Sequence, residues 1–234
     1  MIPLRCCVCA EPLLQPPFTA VRICSTCLDR LFREQLNTLH QSGRCRICGI
    51  PLISEDSICL GCRAAQFYFK EHRSVFMYRE TAEILIRIYK FEPLPALALL
   101  WAYFLRKLIR TAPAGAAPGA VLVPVPARKA AVRTRGWDQM RLICRHLRRR
   151  YQLPSEFLLR RTGGSAQKSL NYTQRMQNLS GRITCSRAAG NSAPRVLLID
   201  DVFTTGATLN ECARVLQKAG FTEIYAFTLA MAPY

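Results

Sequence analysis

Eight cysteines arranged as four C-x-x-C pairs within the first 62 residues set the strongest constraint on this 234-residue chain. The pairs are Cys6/Cys9, Cys24/Cys27, Cys45/Cys48 and Cys59/Cys62; Cys7 is left over, and Cys144, Cys185 and Cys212 follow later in the chain. Fourteen residues separate Cys9 from Cys24, and ten separate Cys48 from Cys59. At that spacing two pairs can close four thiolates around a tetrahedral zinc ion, so the segment offers two structural zinc sites. Ligation in series and interleaved ligation, first pair with third, both satisfy the spacing. A segment of about 65 residues with few large apolar side chains gains too little from burial to fold unaided, and metal binding supplies the folding energy. A disulfide framework would use the same cysteines but needs an oxidising compartment. The opening residues, MIPLRCCVCAEP, contain no apolar h-region of a secretory signal, which favours zinc and a cytoplasmic protein. The run Cys48-Gly49-Ile50-Pro51 suits a ribbon knuckle, where glycine lets backbone amides face sulfur. The four unpaired cysteines are expected to behave as small hydrophobes.

The rest of the chain has a different texture. Residues 63–75 show no periodicity and are expected to connect. Helical spacing follows over Glu80–Lys90, with Ala82, Leu85, Ile86 and Tyr89 on one face, and again over Ala96–Arg110. Residues 111–119 form a loop rich in Ala, Pro and Gly. A strand is expected at Val121–Val125, a helix at Gln139–Tyr151, a short strand near Glu156–Leu159, and a polar, irregular stretch over 160–190. Strand Val196–Ile199, helix Ala207–Ala219 and strand Ile224–Leu229 complete the chain. Strands alternating with helices imply an α/β fold with a parallel sheet. The expected division is a double zinc ribbon over residues 1–65 and an α/β domain over 75–234. No apolar run approaches the roughly 18–20 residues of a membrane span, so no membrane insertion is expected.

Chemistry concentrates in Val196-Leu-Leu-Ile-Asp200-Asp201-Val-Phe-Thr204-Thr205-Gly206-Ala207-Thr208. Four apolar residues make a buried strand that ends in two adjacent carboxylates, and ligands of open α/β sheets bind at such ends. Hydroxyls, a glycine and a helix start follow at once, which surrounds an anion with backbone N–H groups. Two carboxylates beside a phosphate cradle make sense if they face a sugar diol or a metal.

This segment resembles the phosphoribosyl-pyrophosphate (PRPP) signature of the type I phosphoribosyltransferases, departing mildly at Phe203, where a smaller aliphatic is usual. The resemblance implies that Asp200 and Asp201 contact ribose hydroxyls, and that Thr204, Thr205, Gly206, Ala207 and Thr208 hold the 5′-phosphate. Together with the cysteine pairs, the chain is similar to the ComF family, a competence-associated group joining a double zinc ribbon to a phosphoribosyltransferase-like domain. Supporting residues are Tyr89-Lys90-Phe91, Val123-Pro124-Val125-Pro126, Arg135-Gly136-Trp137-Asp138-Gln139, and the loop residues Arg161, Thr162, Gln167, Leu170, Arg175, Asn178 and Leu179. Trp137, Asp138 and Ile183 depart from the usual pattern. The resemblance implies a type I phosphoribosyltransferase-like sheet flanked by helices, two structural Zn²⁺ ions, and PRPP as ligand with Mg²⁺. It also implies a flexible loop on which Arg161, Lys168 and Arg175 meet pyrophosphate.

Charge adds a second clue. The chain carries a formal net charge of +18. Residues 128–195 hold 16 basic side chains against Asp138 and Glu156, a net of +14. One pyrophosphate needs less, so the surplus points to a polyanion such as single-stranded DNA. Two readings result: a ComF-like module that binds PRPP and single-stranded DNA during DNA uptake with partner proteins, or an active phosphoribosyltransferase with a nitrogenous acceptor.

Overall fold

The computed structural model describes residues 4–13, 20–39, 43–111, 119–162, 181–190 and 194–232. Its elements in chain order are α1 (Ser25–Leu39), α2 (Leu60–Arg63), β1 (His72–Met77), α3 (Glu80–Phe91), α4 (Leu97–Thr111), β2 (Val121–Pro124) and α5 (Lys129–Arg135). They continue with α6 (Gln139–Tyr151), β3 (Leu159–Arg161), β4 (Ile183–Cys185), β5 (Val196–Phe203), α7 (Ala207–Lys218) and β6 (Ile224–Met231). Four strands form an all-parallel sheet in the order β1-β6-β5-β2. Because helices cover both faces, β5 needs no polar alternation, and Val196 to Ile199 are all buried. In register, Leu198 sits between Val123 of β2 and Ala226 of β6, which puts β5 inside the sheet.

One face packs against α3, α4 and α6, with Trp101, Phe104, Leu105, Ile143 and Leu147 in the core. The other packs against α7, with Leu209, Cys212, Ala213 and Leu216. The cysteine-rich segment joins both cores: Cys6, Val21, Ile23, Leu28 and Leu31 on the first face, Cys45, Ile47, Cys48 and Cys62 on the second. The apolar surface that this segment lacks on its own is supplied by the sheet and its helices.

Helices expected at Glu80–Lys90, Ala96–Arg110, Gln139–Tyr151 and Ala207–Ala219 are present within a residue or two. Strand β1 lies in the stretch expected to be a connector. It opens on His72, Arg73 and Ser74, and His72 is nevertheless buried. Its outer edge is covered, since the His72 N–H donates to Arg46 O at 2.7 Å. Helix α1 also goes beyond the reading of the cysteine segment, and it docks by an unusual cap. The Glu34 carboxylate accepts from Thr81 N and Ala82 N, both at 3.1 Å, satisfying free N–H groups at the start of α3. The strand expected near 156–159 is reduced to a single parallel bridge, Leu122 with Ser155, before an antiparallel pair of β3 and β4. The loop expected at 111–119 lies largely outside the described residues.

Candidate functional site

The eight paired cysteines gather into two groups, Cys6/Cys9/Cys24/Cys27 and Cys45/Cys48/Cys59/Cys62, with the sulfurs of each within 4.8 Å of one another. The cysteines therefore group in series rather than interleaved. Cys9 Sγ and Cys24 Sγ are 3.7 Å apart, as are Cys48 Sγ and Cys59 Sγ. Zinc–sulfur bonds of about 2.3 Å in a tetrahedron give sulfur–sulfur edges of about 3.8 Å, and a disulfide needs about 2.05 Å. Each group could therefore hold a zinc ion, and the distances are too long for a disulfide. Backbone support matches: Cys24 N donates to Cys6 Sγ at 3.3 Å and Cys27 N to Cys24 Sγ at 3.4 Å. Gly49 has φ +81°, the left-handed turn that a knuckle glycine permits. Of the other cysteines, Cys144 and Cys212 are buried, whereas Cys7 and Cys185 are half-buried.

At the carboxyl end of β5 the acid pair divides between the two faces of the sheet. Asp201 receives Lys90 from the end of α3, Nζ to Oδ2 at 2.9 Å. Burial works against the Lys90 charge, yet the Asp201 carboxylate raises its pKa above the ordinary lysine value. Asp200 lies near Arg161 and Cys212; burial first, then the charge of Asp201, raises its pKa to about 7, against opposition from Lys90 and Arg161. Near neutrality Asp200 is therefore about half protonated, beside a carboxylate that is paired with its lysine. A ligand that brings hydroxyl donors or a cation is therefore favoured by a site that already strains to stay charged.

Lys90 reaches this position through an interlock that the sequence showed as two separate motifs. Tyr89 OH donates to Gln139 O at 2.9 Å, and Gln139 Nε2 returns a bond to Tyr89 O at 2.7 Å. Arg135 Nε donates to Lys90 O at 3.0 Å. Gly136 ends α5 at φ +89°, and the Asp138 carboxylate caps α6 by accepting from Arg141 N at 3.1 Å. Asp138, one of the departures from the family pattern, thus has a plain structural task. Lys90 itself belongs to the site, although the sequence offered it only as part of a resemblance.

Asp200, without Asp201, lines a small pocket of about 40 Å³ together with residues 202–209, among them Thr204, Thr205, Gly206, Ala207 and Thr208. Gly206 is in the left-handed region, φ +74°, and its missing Cβ would lie 2.6 Å from Phe203 Cζ. The Phe203 ring forms the floor of the turn. It stacks on His72, centroids 4.2 Å apart and planes 22° apart, and His72 Nε2 bonds Thr228 Oγ1 at 2.9 Å. Burial drives the His72 pKa down to about 3, so the ring is neutral. Through His72, which neighbours Gly49, the second cysteine cluster braces the floor of the turn. A second brace comes from α7: Asn210 Oδ1 accepts from Tyr68 N and Asn210 Nδ2 donates to Gln66 O, both at 2.7 Å.

Arg161, at the end of β3, is half-buried, and its Nε has no hydrogen-bond partner among the described residues. Lys168 and Arg175, together with Gln167, Leu170, Asn178 and Leu179, lie outside the described residues, between β3 and β4. On α6 the apolar side, Met140, Ile143, Cys144 and Leu147, is buried, whereas Arg145, Arg148, Arg149 and Arg150 are exposed. Burial first, then the charges of Arg150, Arg149 and Arg145, lowers the His146 pKa. Among the described residues no helix is long and apolar enough to cross a membrane.

No protein-family model matches the chain. Over 217 residues it is 29% identical to competence protein F of Haemophilus influenzae, covering 90% of each chain. It is 28% identical over 193 residues to competence protein ComFC of Bacillus subtilis, covering 79% of this chain and 76% of the relative. Among solved structures, the glutamine PRPP amidotransferase of B. subtilis aligns at 16% identity with a TM-score of 0.41, over 62% of this chain and 30% of that one.

Proposed function

We propose that this chain, a member of the ComF family, binds PRPP at the carboxyl end of β5 and holds single-stranded DNA on the basic face around α6. Its role would then lie on the cytoplasmic side of DNA uptake, beside partner proteins of that process. The observation that carries the ligand is the joining of three parts at one strand end: the acid pair, the left-handed Gly206 turn, and the start of α7. Asp200 and Asp201 accept from the ribose hydroxyls, and the backbone N–H groups of Thr205 to Thr208 meet the phosphate. Lys90 holds Asp201 in place and offsets the charge of the pair, so an anionic ligand meets a site that is not net acidic. Arg161, from its place near Asp200 and with no partner for its Nε among the described residues, supplies a donor for pyrophosphate. Mg²⁺ enters as counter-ion of the pyrophosphate, and no side chain of the chain is assigned to it. Lys168 and Arg175 are proposed to join Arg161 when the ligand is bound.

Single-stranded DNA is favoured by Arg145, Arg148, Arg149 and Arg150, which all project from the solvent side of α6. Calorimetry with PRPP and Mg²⁺ tests the first half: Asp200→Asn with Asp201→Asn should abolish binding without unfolding the protein, and wild-type affinity in that variant excludes the site. A salt titration with oligothymidylate tests the second: log affinity should fall linearly with log salt, at about −0.7 per phosphate neutralised. Arg148→Glu, Arg149→Glu and Arg150→Glu together should weaken and flatten that dependence, leaving PRPP binding alone. A DNA affinity indifferent to salt removes the DNA-handling role.

The reading as an active phosphoribosyltransferase is favoured by Arg161 alone, as a donor for a departing pyrophosphate. Displacement at the anomeric carbon would rest on positioning and charge stabilisation. Turnover of PRPP against a panel of nitrogenous acceptors, lost in Arg161→Ala, is the test.

A further inference from the structure

The phosphate turn has a second neighbour. Thr205 lines the small pocket beside Asp200 and also a cleft of about 800 Å³ whose remaining walls come from the second cysteine cluster and the segment after it. That volume is within the range of small-molecule sites. The walls are largely apolar, with Ile50, Pro51, Leu60 and Phe67, and Glu55 and Gln66 add polar groups. Cys59 and Cys62 also line the cleft, and with zinc bound a tetrathiolate carries two negative charges. Glu55 adds a third, its pKa held below the ordinary glutamate value by backbone N–H groups. An anion is therefore excluded from the cleft itself, although it is expected next door, at the turn. What fits both is a molecule with a phosphate at one end and an uncharged, flat, hydrogen-bonding group at the other. A saturated acyl chain would fill the apolar wall but make no use of the polar groups of Glu55 and Gln66.

We propose that the cleft between the second cysteine cluster and Thr205 is a binding site for the base of a nucleotide whose phosphate occupies the turn at Thr204–Thr208. The inference rests on the phosphate seat of the proposed function and adds a ligand to it. Phe67 offers an aromatic face, and Glu55 and Gln66 address the polar edge of the base. The sugar then lies on the Thr205 side and does not need Asp200 or Asp201. PRPP and the nucleotide use the same phosphate seat and compete.

Calorimetry on the full-length, zinc-loaded protein tests this, with adenosine 5′-monophosphate, inorganic phosphate, dodecyl phosphate and PRPP as probes. Adenosine monophosphate should bind at least tenfold more tightly than inorganic phosphate. Leu60→Glu should erase that margin and leave PRPP affinity unchanged; Leu60 is 70% exposed, at the first turn of α2, so the fold should tolerate it. Ile53→Glu, at a residue 99% exposed on the same cleft, gives the same readout should Leu60→Glu lose zinc. Asp200→Asn with Asp201→Asn should abolish PRPP binding and spare the nucleotide, which separates failure of the PRPP site from failure of the cleft. Equal affinity for adenosine monophosphate and inorganic phosphate overturns the proposal. So does nucleotide binding that ignores both cleft variants or disappears with the acid pair, because the base would then lie on the ribose side. Tighter binding of dodecyl phosphate than of the nucleotide overturns it in favour of a lipid.

Discussion

Gly206→Ala should damage this protein more than a glycine-to-alanine change in an ordinary turn. The reason is local and can be worked from two contacts. An alanine Cβ at 206 would lie 2.6 Å from Phe203 Cζ and 2.9 Å from Cε2, well inside van der Waals contact. The backbone is at φ +74°, which costs a non-glycine residue about 1–2 kcal/mol. Phe203 cannot swing away, because it is 1% exposed and lies stacked on the buried His72. Forcing a methyl group against a packed ring costs about 1–3 kcal/mol more. The sum, roughly 2–5 kcal/mol, is a large share of the about 5–15 kcal/mol that holds a domain folded. The partner in the clash is identified by a double-mutant cycle. Phe203→Val removes the ring, so Gly206→Ala in that background should recover the steric part and keep only the backbone cost. Urea denaturation of the wild type, both single variants and the double variant should show a coupling of about 1–3 kcal/mol. Effects additive to within about 0.5 kcal/mol would mean that the ring is not the floor of the turn. Calorimetry on the same four proteins should show PRPP affinity following the turn rather than global stability.

Three further outcomes are expected. Elemental analysis of protein purified under reducing conditions should find two zinc ions per chain. Cys59→Ser with Cys62→Ser should remove one and weaken PRPP binding by loosening the His72–Phe203 brace, and unchanged binding in a protein short of one zinc refutes that brace. Because the Asp200 pKa rises to about 7 in the folded state, its contribution to stability is fully present below pH 4 and is lost as pH rises through 7. Asp200→Asn should therefore match the wild type near pH 4 and exceed it at pH 8, by about 1–3 kcal/mol once solvent contact is allowed for; equal stability at both pH values contradicts the assignment. Finally, Lys90→Met should push the Asp200 titration upward and cut PRPP affinity, whereas Lys90→Arg should restore part of it; carboxylate NMR and calorimetry read the two effects.

How much of this was legible in the chain depends on whether a residue's surroundings are local. Val196 to Thr208 could be read directly, because strand, acid pair, turn and helix start follow one another without a break. The cysteine pairs were equally plain, but serial and interleaved ligation have the same spacing, and only the positions of the sulfurs separate them. Strand β1 was missed because its first residues, His72, Arg73 and Ser74, look like surface; His72 is buried by a stack on Phe203, 131 positions away in the chain. Helix α1 was missed because its apolar face finds partners in α3 and α4, and charged residues dilute the pattern. Lys90 and Gln139 were visible as motif letters without a task. Their task is a contact between the end of α3 and the start of α6, which no reading of either segment alone supplies.

The same non-local logic bears on what zinc does here. Were the cysteine-rich segment a free-standing ribbon pair, its metal would stabilise only itself. Instead Cys6 and Cys27 share a core with Trp101 and Phe104, and Cys45, Cys48 and Cys62 share one with Leu198 and Leu216. The Glu34 carboxylate caps α3, whose last turn carries Lys90 to Asp201. Arg46 closes the edge of β1, whose His72 supports the floor under Gly206. Each cluster thus lies one or two contacts from one half of the ligand site: the first reaches the acid pair through α3, and the second reaches the phosphate turn through β1. On the proposed function, zinc held by each group of four thiolates would be a structural input to ligand binding, at two separate points. Selective loss of the first site should act on the pair proposed to hold ribose, and loss of the second on the turn proposed to seat the phosphate. Ribose 5-phosphate and inorganic phosphate, compared in the two single-site variants, tell these apart. The first variant should lose the advantage of the sugar phosphate over inorganic phosphate, and the second should weaken both probes together. The same pattern of loss from either cluster would show that zinc supports the fold as a whole and not the two halves of the site separately.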